Sequence, residues 1–113
     1  MVLQTLTMIY FGREVGAVIM SMKDFGSTLS TRQSGRIAFD AAMSALAQGE
    51  RVEFDFSGVD SVTNSFADEL FGRLALELGL EKLRANTSFS NINRTSARFI
   101  RSVIDRRLML MAQ

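Results

Sequence analysis

Four carboxylates and a short run of small polar residues are the groups in this chain whose spacing invites chemistry. Asp55, Asp60, Asp68 and Glu69 lie close together in sequence, and two carboxylates at a suitable separation can work as an acid/base pair. Among them fall Ser61, Thr63, Asn64 and Ser65, whose hydroxyl and amide groups can cap a helix, hold an anion or meet a partner. The chain contains no His and no Cys. The usual general base, the thiol nucleophile and the commonest metal ligands are therefore missing, and neither a metal site nor a cofactor is expected. Asp55 sits in a strand pattern with one solvated face. Asp68 and Glu69 sit in a first helical turn, where acids are favoured by the helix dipole in any case. These carboxylates do not make an enzyme reading, and the expectation is a non-enzymatic protein.

The elements that must position these groups are a strand and a helix. Residues 52–56 alternate, with Val52, Phe54 and Phe56 on one face and Glu53 and Asp55 on the other. Ser57-Gly58 ends the strand, and Val59 and Val62 are apolar anchors in a polar loop. Phe66, Leu70, Leu74 and Leu78 then recur every four residues beside Ala67 and Phe71, which is one apolar helix stripe, and Gly79 is its stop. Ser65 and Asp68 have capping-box spacing, so Ser65 is expected to be the N-cap of a helix beginning at Phe66. The loop thus brings Thr63, Asn64 and Ser65 to a helix N-terminus, where unpaired N–H groups carry partial positive charge. Capping is the ordinary role of a Ser there. The functional alternative is contact with a partner through Asp60, Ser61, Thr63, Asn64 and Ser65, with Asp68, Glu69 and Arg73 pointing outward beside them. An anion or nucleotide sensor would instead hold phosphate at Asn64 and Ser65, although no Gly-rich phosphate loop supports it.

With 113 residues, 47% hydrophobic and 22% charged, residues 1–113 read as one globular domain. The net charge of +1 selects no class of partner. No apolar run approaches the ~20 residues of a membrane span, the opening MVLQTLTMIYF lacks the marks of a signal peptide, and a cytoplasmic protein is the default expectation. Residues 3–11 and 17–22 read as two strands joined by a short hairpin turn. Residues 30–48 read as a helix capped by Ser30, with Ile37, Ala38, Ala41, Ala42, Ala45 and Leu46 on its apolar face and Phe39 and Met43 widening it. Arg32 and Arg36 near its start are expected to be solvated, the alternative being contact with an anion or an acidic partner. Residues 81–86 read as a charged connector and residues 87–92 as a strand. A last helix runs from a cap at Asn93 or Thr95 to about Met109, with Ala97, Ile100, Val103, Ile104 and Leu108 as its core face. Its other side carries Arg94, Arg98, Arg101 and Asp105. This arginine stripe makes nucleic-acid binding a lesser alternative, although no base-reading pattern accompanies it. The apolar tail from Leu108 to Met111 is expected either to pack on the sheet or to cover a neighbouring subunit.

The order strand, strand, helix, strand, helix, strand, helix argues an α/β fold with a mixed four-stranded sheet and three helices. Helix-linked strands are expected to be parallel and the opening hairpin antiparallel. At this point residues 25–32 (FGSTLSTR), 52–59 (VEFDFSGV) and 65–70 (SFADEL) resemble the STAS-like domain family of bacteria. That family is related to the domains of sulfate transporters and anti-sigma factor antagonists. The resemblance implies a regulatory protein–protein interaction module, with a histidine-kinase-like ATPase of the GHKL class as the suggested partner. In the antagonists, the turn after the central strand carries an Asp-Ser-Ser-Gly motif whose first Ser is phosphorylated by such a partner. Here the turn reads Thr63-Asn64-Ser65-Phe66, with Asn64 at the acceptor position. The resemblance therefore implies the binding surface without that phosphoswitch, and no stable phosphoserine is expected in the loop.

Overall fold

Alternation of large apolar and charged residues makes residues 51–55 a strand, and the fold is assembled around it. In a computed structural model that describes residues 17–111, this strand is β3 (Arg51–Asp55) and lies between β1 (Ala17–Ser21) and β5 (Thr87–Ser90). Both pairings are parallel, and Phe54 stands opposite Met20 on one side and Phe89 on the other. Val52 and Phe54, continued by Phe56, turn into the core as the alternation predicts. The strand expected at residues 3–11, and with it the antiparallel hairpin, lies outside the described residues.

The expected single four-stranded sheet with three helices is corrected in two ways: the described residues form five strands in two sheets, and four helices. First, the loops that lead into the two long helices pair with each other. Thr28–Leu29 (β2) runs parallel to Ser61–Val62 (β4), so Leu29 stands opposite Val62. Second, the expected connector is a helix, Leu80–Asn86 (α3). Gly79 stops the preceding helix with φ +80°, and the chain restarts as a new helix that buries Leu83. The other helices are α1 (Arg32–Ala47), α2 (residues 64–78) and α4 (Arg94–Met111). Within α2 the turn widens to π geometry over Asp68–Gly72.

The core is aromatic and aliphatic. Phe54, Phe66, Phe71, Leu70 and Leu74 are fully buried, and the Phe54 and Phe71 rings meet edge-on at 5.0 Å between centroids. From α4, Ile100, Val103 and Ile104 close it. Asn93 begins that helix, its side chain accepting a hydrogen bond from the Ser96 backbone N–H at 2.7 Å. On α1 the expected face holds at Ala38, Phe39, Ala42 and Ala45, with Met43 and Leu46 packed against the core, but fails at Ile37 and Ala41. Ile37 is 56% exposed and Ala41 is exposed, whereas Gly35, Ala38, Phe39, Ala42 and Ala45 are buried. The reason is close approach of α1 to α2. A Cβ at Gly35 would lie 2.9 Å from the Phe66 carbonyl oxygen and 3.0 Å from the Glu69 Cβ, so the smallest residues mark the contact and the larger Ile37 turns out to solvent.

Gly35→Ala tests this contact. In a free helix the change stabilises by about 1 kcal/mol. Here it should destabilise the fold by about 1–3 kcal/mol, because a backbone carbonyl cannot yield to the added methyl. Ile37→Ala, at an exposed site, should shift the urea midpoint little. A Gly35→Ala midpoint at or above that of wild type would show that the helices do not meet there.

Candidate functional site

The paired loops before α1 and α2 form a single polar ledge. The chain leaves β3 through a turn in which the Asp55 carboxylate accepts from the Ser57 N–H at 3.0 Å, and Gly58 takes φ +80°. Val59 and Val62 anchor the loop to the core. The Asp60 N–H then donates to the Ser27 carbonyl at 2.8 Å and the Thr63 N–H to the Leu29 carbonyl at 2.8 Å. The Thr63 hydroxyl donates to the Ser30 carbonyl at 2.9 Å, across the gap between the loops. Asp60, Ser61 and Asn64 are exposed on this ledge, while Thr63 and Ser65 are half-buried.

Ser65 is not the N-cap. The helix begins at Asn64 and the cap is Thr63, whose hydroxyl oxygen accepts from the Phe66 N–H at 3.4 Å. Likewise α1 is capped by Thr31, which accepts from the Ser34 N–H at 3.0 Å, rather than by Ser30. In both loops the hydroxyl with extended backbone just before the first helical residue takes the role, and Ser65 already lies inside its helix.

Asp68, Glu69 and Arg73 do not form an outward acidic patch. Glu69 is only 8% exposed, and its carboxylate accepts from Arg32 and from Arg73, each at 2.9 Å, with Arg36 at 3.9 Å. Asp68 is gripped by Arg107 of α4 through both carboxylate oxygens, at 2.7 and 2.9 Å, and is approached by Arg32 at 3.5 Å. Arg73 also stacks over the Phe39 ring, 4.5 Å from its centroid. Arg32 and Arg36 stay exposed, as expected, and also reach across to the acids of α2. The reason is that α1 starts on a pair of basic side chains that oppose its own dipole, and the acids of the neighbouring helix lie within reach. Hydrogen bonds from Arg107 hold the Asp68 carboxyl below the usual carboxylate range. Burial pushes Glu69 up, but hydrogen bonds from Arg32 and Arg73 outweigh it and bring Glu69 down on balance.

Chemically, this leaves little for catalysis. Asp68 and Glu69 stay ionised and occupied, so neither is poised to exchange protons near neutral pH. Asp55 accepts from Ser57 and from the Asn91 side chain at 2.9 Å. No group of carboxylates among the described residues is arranged to hold a metal ion. What the sequence reading missed is the contribution of the loop before α1: Ser27, Leu29 and Ser30 hold the ledge together. A signal for it exists in the matching triplets Thr28-Leu29-Ser30 and Ser61-Val62-Thr63, each a hydroxyl, an aliphatic and a hydroxyl ahead of a helix.

Two measurements check these assignments. Thr63→Ala should destabilise by about 0.5–2 kcal/mol through loss of the cap, and more than Ser65→Ala does; equal effects would return the cap to Ser65. For the ion pairs, both carboxylates are depressed in the folded state. Their stabilisation is therefore complete above the unfolded carboxylate values of about 4, and is lost as pH falls through the lower folded values. Arg107→Met should destabilise at neutral pH by about 1.5–3 kcal/mol and make the loss of stability on acidification shallower. Thermal melts that lose stability in parallel for variant and wild type below about pH 4 would show that Asp68 is not held this way.

Residues 39–97, just over half of the chain, match the family described as a STAS-like domain of unknown function (DUF4325). The matched region runs from within α1 through β3, the loop before α2, α2, α3 and β5 into the first turn of α4, and leaves out the loop before α1. No curated protein and no solved structure matches the chain. Matched over more than half of its length, the chain belongs to the STAS-like domains, which are non-catalytic regulatory modules.

Proposed function

We propose that this protein regulates a partner protein by docking it on the ledge formed by the loops before α1 and α2. The observation that carries this reading is the way the ledge uses its own polar groups. Thr63 is committed to Ser30 and to the first turn of α2, while Asp60, Ser61 and Asn64 stay exposed on a backbone fixed by inter-loop hydrogen bonds. Exposed polar side chains on a rigid loop scaffold suit recognition, because little ordering entropy remains to be lost on binding. Ser65, half-buried within the first turn of α2, borders the contact, as do the exposed Ser30 and Arg32 of the opposite loop. Asp68, Glu69 and Arg73 lie behind it as support.

The partner suggested by the family resemblance is an ATPase of the histidine-kinase-like GHKL class, met in the cytoplasm. Among the described residues no helix is long and apolar enough to cross a membrane. Asn64, at the acceptor position of the related antagonists, cannot accept a phosphoryl group, so the reading does not rely on that phosphoswitch. The test is co-purification from the native host with wild type and with a Ser61→Arg/Asn64→Arg double variant, both positions being exposed. A GHKL-type ATPase should accompany wild type and be lost from the variant at unchanged melting temperature. Retention of the ATPase by the variant would remove the ledge from the contact. Nucleic acid that accompanies the protein and dissociates at high salt would move function to the arginines of α4.

A further inference from the structure

A second surface lies at the edge of the three-stranded sheet, where α4 passes β5. The Phe89 ring rests with one side on Phe54, Phe56 and Phe71, at centroid distances of 5.5, 6.1 and 5.3 Å, yet is 38% exposed. Beside it, Ile92, Ala97, Ile100 and Ile104 line an apolar cavity of about 220 Å³. A second cavity of about 260 Å³ adjoins it past Phe89 and Ile104 and runs to Leu80 and Leu83 of α3. Each could take a large apolar side chain, and the two share Phe89, Arg101 and Ile104 in their linings.

The rim of this groove is basic. Arg101 lines both cavities and Arg84 the second, while Arg94 and Arg98 are exposed on the preceding turns of α4. The acid at the rim is Asp105, itself exposed and already 3.8 Å from Arg101. On α3, Glu81 and Lys82 balance each other next to the groove. Charge also decides against a second copy of this chain as occupant. Arg94, Arg98, Arg101 and Arg106 are all exposed on α4 against the one Asp105, so two such helices side by side would repel. The same repulsion argues against pairing subunits through the tail that begins at Leu108, although Met109 and Leu110 are exposed there. We infer that this groove docks an acidic segment of a partner protein, with large apolar side chains entering the two cavities and flanking carboxylates meeting Arg84, Arg98 and Arg101. An apolar floor inside a basic rim selects that combination, since nucleic acid would satisfy the rim but leave the floor unfilled.

The inference is independent of the ledge, and its test keeps the two apart. A random dodecapeptide library is selected on phage against the full chain, and the enriched peptides are synthesised and titrated. They should combine large apolar residues with Asp or Glu. Their affinity should fall about tenfold or more in an Arg98→Glu/Arg101→Glu variant, and should stay unchanged in Ser61→Arg/Asn64→Arg. Both arginines are exposed, so the variant should keep the wild-type melting temperature. An Arg98→Gln/Arg101→Gln variant gives an intermediate loss if charge is the cause. The inference fails if no peptide is enriched, if the enriched peptides lack carboxylates, or if they ignore the arginine changes. It also fails if duplex DNA, or vesicles of anionic phospholipid, binds the groove arginines while the peptides do not.

Discussion

Two carboxylates on adjacent residues, taken into the junction of three helices, set the terms for the rest of this structure. An ionised carboxylate that loses water is tolerated only where cations and hydrogen bonds replace it. Asp68 and Glu69 meet that demand with guanidinium groups from every helix that borders them: Arg32 and Arg36 from α1, Arg73 from α2 and Arg107 from α4. Room for the arrangement comes from missing side chains. At Gly72 an added Cβ would lie 2.7 Å from the Asp68 oxygen and 3.1 Å from Arg107, and at Gly35 it would strike α2 itself. The π turn begins at Asp68, so the helix is widened where both acids must be aimed at different neighbours. The ledge sits directly above this junction, and its position is inherited from it.

Much of this was legible before the structure, and the failures have a common origin. The alternation of residues 51–55 and the four-residue repeat from Phe66 to Leu78 report directly on burial, so β3 and α2 could be read with their buried faces. Small residues report less. In α1, Ala at 38, 41, 42 and 45 offers almost any face, and Ile37 drew the choice towards itself because hydrophobicity outweighs size in such a reading. The contact that decides the matter is between Gly35 and the backbone of α2, and a glycine carries no periodic signal. Capping was misread for a similar reason: Thr63 and Ser65 are equally good caps in sequence, and the bond from Thr63 to the Ser30 carbonyl, which fixes the choice, joins residues 33 apart.

The candidate site residues divide along the same line. Asp60, Ser61, Thr63, Asn64 and Ser65 were identifiable as a group because their loop is contiguous. The charges of Asp68, Glu69, Arg32 and Arg36 were visible too, but sequence assigns each to its own helix, and every one of them acts on another. A charged residue in an outward-looking pattern can still be an internal tie when its partners come from two other elements. That is why the acidic pair changes from a docking feature to a structural one, while the groove beside Phe89, assembled from α3, β5 and α4, has no counterpart in any single stretch of the chain.

The parallel pairing of the strands also constrains how the chain can reach this state. Partners across β1 and β3 stand 34 residues apart, and those across β3 and β5 stand 35 apart. Among the described residues no strand meets its neighbour through a tight turn, so sheet formation must wait for long loops to close. The helices between the strands shorten that search. Docking α1 on α2 at Gly35 draws together the two loops ahead of them, and the pairing of Leu29 with Val62 follows at little further entropic cost. The ledge proposed for recognition is thus also a seam between two loops that are ordered by pairing with each other.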